Sequence, residues 1–154
     1  MKRNETISLN GTHLMLDCFG CDKQALGNKD IIEHFLAELP VALGMKKLIS
    51  PYIVCYPGGD TWDHGGITGF MLIAESHISI HTFPYDGFFT ADVYSCKPFD
   101  VPKALSLFKQ AFKYKTEKVN IMKRDIEFVR EKNLAEMRAV SVPLKQTHTL
   151  HLKK

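Results

Sequence analysis

The sequence predicts an α+β protein: a two-layer α/β sandwich in which a mainly antiparallel sheet carries two helices on one face, in the order β-α-β-β-β-α-β. Two apolar stripes of helical period supply the helices, one at Ile31, Ile32, Phe35, Leu36 and Leu39 and the other at Val101, Leu105, Phe108 and Phe112. Apolar and polar residues alternate from His77 to Cys96 around Pro84-Tyr85-Asp86-Gly87, which reads as a hairpin. At 154 residues, 45% of them hydrophobic, the chain suits a single domain spanning 1–154 with a sizeable core.

Taken in order, Thr12 to Phe19 reads as the first strand, with Leu14 and Leu16 on one face. Asn28 is an N-cap for the first helix, which Pro40 is expected to end or kink. Leu48 to Tyr56 returns as a strand closed by Pro57-Gly58-Gly59, and Asp60 to Thr68 is a polar loop carrying Trp62 and His64. Gly69 to Ala74 is an apolar strand leading into Glu75-Ser76-His77. Beyond the hairpin, Asp100 caps the second helix with Pro102 in its first turn, and Lys118 to Lys123 reads as the last strand. Glu131 to Ala139 has the pattern of a short helix, and Pro143 to Lys154 is a polar basic tail with no assigned role.

Charge and composition exclude several classes. A net charge of +3, with lysines spread along the chain, leaves no electrostatic footprint for nucleic acid. Met1 to Asn10 lacks the apolar core of a signal peptide, and the uncharged stretches Leu48 to Gly59 and Gly65 to Ala74 are too short to span a bilayer. A cytoplasmic protein without membrane or nucleic-acid partners is expected, its four cysteines reduced. Cys18-Phe19-Gly20-Cys21 has zinc or redox spacing but is only half a zinc site, and His77 and His81 on a strand would stand roughly 13 Å apart. No metal is expected, and two buried thiols at a strand end is the reading preferred.

The hairpin gathers the chemistry-bearing residues. Pairing about the turn puts Ser76 beside Ser95 or Cys96 and His81 opposite Thr90. Five residues of strand span roughly 16 Å, so His81 does not reach Ser76 of its own chain. If serine, thiol and histidine share one site, the histidine comes from a second copy across a two-fold axis.

Glu75-Ser76-His77-x-x-x-His81-Thr82-x-Pro84, followed twelve residues later by Cys96 in a strand containing Ala91-Asp92-Val93, resembles the short prokaryotic S-adenosylmethionine decarboxylases. The resemblance runs from about Gly11 to about Ile126 and leaves 127–154 as a C-terminal extension. It implies a proenzyme that cleaves itself between Glu75 and Ser76 into 1–75 and 76–154 and converts Ser76 to a pyruvoyl cofactor. It further implies His81 as an aid to processing and Cys96 as proton donor, while the hairpin geometry is what leads to the expectation of homodimers with shared active sites. The pyruvoyl ketone would form a Schiff base with S-adenosylmethionine and release CO2, giving the aminopropyl donor for spermidine synthesis.

The match also bears on binding residues. Thr68 stands where the family has a serine eight residues before the cleavage serine, and it keeps the hydroxyl. Trp62 falls near an aromatic that stacks on the nucleobase, the alternative being that it covers the sheet edge. The family's ribose-binding carboxylate position holds Tyr85, with Asp86 next. Either Asp86 takes that role by a one-residue shift or the substrate differs. A pyruvoyl enzyme acting on arginine or ornithine is therefore one alternative, and a non-processing protein that binds a ligand or partner is another.

Overall fold

The computed structural model describes residues 4–59 and 61–131. Six strands and three helices follow one another as β1 (Asn4–Phe19), α1 (Lys23–Leu26), α2 (Lys29–Ala42), β2 (Tyr52–Tyr56), β3 (Gly66–Ile73), β4 (Ser76–Phe83), β5 (Phe88–Ser95), α3 (Val101–Phe112) and β6 (Thr116–Glu131). The strands form one sheet in the order β2-β3-β4-β5-β1-β6. Neighbouring strands from β2 through β5 to β1 all pair antiparallel. The chain divides into two compact units, Ser8–Ile126 and a smaller one holding the outer strand ends 4–7 and 127–131.

One face of the sheet is the core. Alternation along β1, β3, β4 and β5 buries Leu14, Leu16, Met71, Ile73, Ile78, Ile80, Phe89 and Val93 beneath the helices. Phe89 stacks on Phe108 with ring centroids 5.8 Å apart and meets Phe112 at 5.0 Å, and Phe35 of α2 closes on Phe108 at 4.8 Å. The helices thus form a single layer, the sandwich that the apolar stripes predict. Both predicted caps are made: Asn28 accepts from the N–H groups of Asp30 and Ile31, and Asp100 from that of Lys103.

The class stands while several boundaries move. The structure has six strands where the expected order β-α-β-β-β-α-β has five, and β3 and β4 are joined at Ala74-Glu75, a turn without glycine, proline, asparagine or aspartate to announce it. It also has a one-turn α1, capped by the Asp22 carboxylate. Pro40 does not end α2, which runs to Ala42, because a proline in the last turn forfeits only one helical bond and the Leu43 N–H closes the helix on Leu39 O at 3.0 Å. β1 begins at Asn4 rather than Thr12, β2 at Tyr52 rather than Leu48, and β6 reaches Glu131. Glu131 is therefore strand where a helix was expected, and the remainder of that helix, with the basic tail, lies outside the described residues. β3 begins at Gly66, so Thr68 belongs to a strand and not to the loop before it.

The start of β3 tolerates no side chain at Gly66. A Cβ there would meet the Thr82 carbonyl oxygen at 1.8 Å. Next to it the Thr82 hydroxyl accepts from Ile67 N–H at 3.0 Å and donates to Ile67 O at 3.1 Å, satisfying a buried group. Gly66→Ala is accordingly expected to lower stability by about 1–3 kcal/mol through forced separation of β3 from β4, read as a lower urea midpoint with an unchanged slope.

Candidate active site

The β3–β4 turn is tied down on three sides. The Ala74 N–H donates to Lys46 O at 2.8 Å, the Lys46 N–H donates to the Glu75 carboxylate at 3.1 Å, and Lys97 Nζ lies 3.7 Å from the other carboxylate oxygen. The Glu75 carbonyl oxygen accepts from the Cys96 N–H at 2.9 Å. Cys96 follows β5 directly, so the peptide bond between Glu75 and Ser76 is held against the residue expected to act as proton donor.

Strain sits at Ser76. Two-residue hairpin loops favour positive φ within the loop, but the described backbone has positive φ outside glycine only at Ser76 (154°) and Lys113 (49°). The turn residues Ala74 and Glu75 thus leave the misfit to the residue that follows them. A non-glycine residue in that region costs on the order of 1–3 kcal/mol, maintained here by the clamps on Glu75. Consecutive strand side chains ordinarily point to opposite faces. At this distorted residue they meet: Ser76 Oγ lies 3.1 Å from His77 Nδ1.

The remaining candidates lie at the far end of β4. Pairing is Ser76↔Ser95 and His81↔Thr90 on one side and Thr68↔His81 on the other. Thr68 Oγ1 is 3.2 Å from His81 Nδ1, so the two residues form a pair within one chain. They line a cavity of about 140 Å³ with Tyr56, Asp63 and Phe83. A neighbouring cavity of about 230 Å³ is lined by Cys55, Tyr56, His64 and Tyr85. Asp86 is paired with His64 at 3.5 Å, and the Tyr85 ring packs on His64 at 4.0 Å. Trp62 is 91% exposed, which sets aside its covering the sheet edge.

The structure therefore brings the expected residues into two groups at opposite ends of one strand: Glu75, Ser76 and Cys96, and Thr68, His81 and Asp86. His77, Lys46, Lys97 and His64 were not among the residues singled out for the site. Lys97 was accessible from the hairpin register, since it lies two residues past the partner of Ser76. His77 was not, because alternation alone sends it to the opposite face. A cavity of about 370 Å³ between α2 and α3 contains none of these residues.

Cys18 and Cys21 lie in the core, with Cys21 Sγ 3.4 Å from Cys18 O. Burial pushes the Cys21 thiol up to about 11, against partial relief from the Phe89 backbone hydrogen bond and Lys109. Burial also pushes the Cys18 thiol upward, beyond the range of a reactive cysteine. Among the described residues no group of three His, Cys, Asp or Glu side chains could hold a metal ion, and no helix is long and apolar enough to cross a membrane.

Comparison with known proteins converges on one family. The family model described as S-adenosylmethionine decarboxylase matches residues 12–125. The S-adenosylmethionine decarboxylase proenzyme of Thermococcus kodakarensis is 35% identical over 128 residues, covering 82% of each chain. That of Pyrobaculum arsenaticum is 37% identical over 116 residues, covering 75% of this chain and 83% of its own. That of Clostridium botulinum is 34% identical over 107 residues, covering 69% and 86%. In structure, the chain is similar to the adenosylmethionine decarboxylase of Aquifex aeolicus, with a TM-score of 0.63 and 27% identity over 75% of this chain and 91% of that one.

The clamps on the turn have unequal strength. The Glu75 carboxylate is 11% exposed and accepts a charge-assisted hydrogen bond, whereas Lys97 is 69% exposed and its ion pair is screened. In a Ser76→Ala background, Glu75→Ala should cost about 1.5–3 kcal/mol and Lys97→Ala less than about 1 kcal/mol, compared by urea unfolding.

Proposed function

The chain belongs to the S-adenosylmethionine decarboxylase family, and on that premise we propose that it is a proenzyme that cleaves itself between Glu75 and Ser76 and then decarboxylates S-adenosylmethionine. The observation that carries this reading is the geometry of one peptide bond. Its carbonyl accepts a backbone hydrogen bond from Cys96, its serine carries φ of 154°, and the serine hydroxyl is hydrogen-bonded.

In the first step Ser76 Oγ attacks the Glu75 carbonyl carbon. Charge develops on the oxygen that the Cys96 N–H already holds, and the amide becomes an ester with a free Ser76 amine. Release of the distorted Ser76 backbone favours this rearrangement. Removal of the Ser76 Cα proton then expels the Glu75 carboxylate from Cβ and leaves dehydroalanine. Tautomerisation to the imine and attack of water release ammonia and leave a ketone at the new terminus of 76–154, the other product being 1–75. The residues fit such a group: a serine at a strained strand start, with Cys96 one residue past its cross-strand partner.

The pyruvoyl group, once formed, supplies the electron sink for loss of CO2. Cys96 returns a proton to the substrate α-carbon. The product is decarboxylated S-adenosylmethionine, an aminopropyl donor for spermidine synthesis. Trp62 offers a stacking face for the adenine, and Asp86, oriented by His64, is the carboxylate available for the ribose.

The functional unit is a homodimer with shared sites in the cytoplasm. The sheet face opposite the helices exposes Tyr52, Val54, Phe70 and Leu72, an apolar patch suited to a second copy. A two-fold axis would bring the His81 and Thr68 of one copy to Ser76 and Cys96 of the other, which one chain cannot do across roughly 16 Å of strand. His81 from that copy would take the Ser76 Cα proton, its ring oriented by Thr68.

A second reading keeps the chemistry and changes the substrate to arginine or ornithine. Its motive is that Tyr85 occupies the expected carboxylate position while Asp86 is engaged by His64.

Intact mass of purified protein tests processing. Wild type should separate into two chains and Ser76→Ala should stay at full length. Cys96→Ala should cleave yet release CO2 from S-adenosylmethionine at least about a hundredfold more slowly. CO2 released from arginine or ornithine and not from S-adenosylmethionine would establish the second reading. A wild-type chain that stays whole would leave a ligand- or partner-binding homologue.

Sharing of sites is tested by mixing. Co-expressed Ser76→Ala and His81→Ala chains should form mixed dimers with one intact site, so that cleavage reappears in the His81→Ala chain. Mixed dimers in which that chain remains uncut would rule sharing out.

A further inference from the structure

We infer that His77 is the general base that activates Ser76 for the first step of self-cleavage, a role that rests on the self-processing reading above. Three observations converge on it. Ser76 Oγ is 3.1 Å from His77 Nδ1, within the reach that proton transfer requires. The ring is fixed from both sides: Phe70 of β3 stacks on it at 5.5 Å and 25°, and Tyr94 of β5 meets it edge-on at 5.8 Å and 61°. The contact exists because Ser76 departs from the strand alternation that would send the two side chains to opposite faces.

With its own proton on Nε2, His77 accepts the hydroxyl proton at Nδ1. As that proton leaves, Oγ bonds to the Glu75 carbonyl carbon and the negative charge collects on the carbonyl oxygen, which the Cys96 N–H holds at 2.9 Å. When the tetrahedral carbon collapses, its bond to Ser76 N breaks and the nitrogen takes the proton from Nδ1. An amide has become an ester with no net gain or loss of atoms, protons or electrons. His77 ends as it began.

The division of labour is specific. His77 serves the N-to-O shift within its own chain, and His81 serves the later removal of the Ser76 Cα proton. The base of the first step is then present in every copy, dimerised or not.

Ester formation is measured separately from elimination. In a His81→Ala chain, where elimination is blocked, hydroxylamine should split the chain at Glu75-Ser76 by attacking the ester. Adding His77→Asn or His77→Ala to that chain should slow hydroxylamine-dependent splitting on the order of a hundredfold. Free imidazole should restore it in the His77→Ala chain, which a purely structural role would not allow. Unfolding midpoints recorded alongside identify any variant that has lost its fold. The assignment is overturned if either His77 variant forms ester at the parent rate, or if imidazole leaves a folded His77→Ala chain unchanged. A wild-type protein that never cleaves would instead overturn the self-processing reading on which the assignment stands.

Discussion

The register of β4 between β3 and β5 is the constraint on which the candidate site depends. Pairing Ile73↔Ser76 and Ser76↔Ser95 at one end, and Thr68↔His81 and His81↔Thr90 at the other, leaves no freedom in where each polar group stands. A shift of one residue would turn Ile78 and Ile80 out of the core and His77 and His81 into it, so hydrophobic burial locks the placement. The same locking keeps serine and His81 apart within a chain. Chemistry that needs both is therefore tied to association.

The turn between β3 and β4 converts fold stability into local strain. Ala74 and Glu75 have none of the conformational latitude that glycine or asparagine would bring, and the misfit appears as the φ of Ser76. The turn cannot relax, because backbone bonds to Lys46 and Cys96 and the carboxylate bond of Glu75 fix it. One of these bonds polarises the very carbonyl that a serine hydroxyl would attack. A glycine here would relieve the backbone, and it would remove the Ser76 hydroxyl.

Layering explains where the molecule stays open. Three helices cover one sheet face and supply Phe35, Phe108 and Phe112 to the core, while the other face keeps a mixture of His77, Ser79, His81, Asp92 and Tyr94 among exposed apolar side chains. His13 pairs with Asp92 at 2.7 Å on that face, and Arg124 lies 5.3 Å from the Tyr94 ring. A surface both apolar and furnished with satisfied polar pairs suits a partner better than bulk water.

By itself the sequence determined the class of fold, both long helices with their caps, the hairpin register and the family motif, because periodicity, capping residues and a glycine-bearing turn are local signals. It also contained the separation of Ser76 from His81, since strand rise is fixed. Tertiary structure alone decided the rest. The turn at Ala74-Glu75 carries no turn residue and forms because its flanking strands pair. Thr68 reads as loop until β3 is seen to pair with β4 as far back as Gly66. Lys46 lies 29 residues from Glu75, and no spacing rule links them. His77 reaches Ser76 only through a backbone angle that alternation forbids and that the surrounding hydrogen bonds impose.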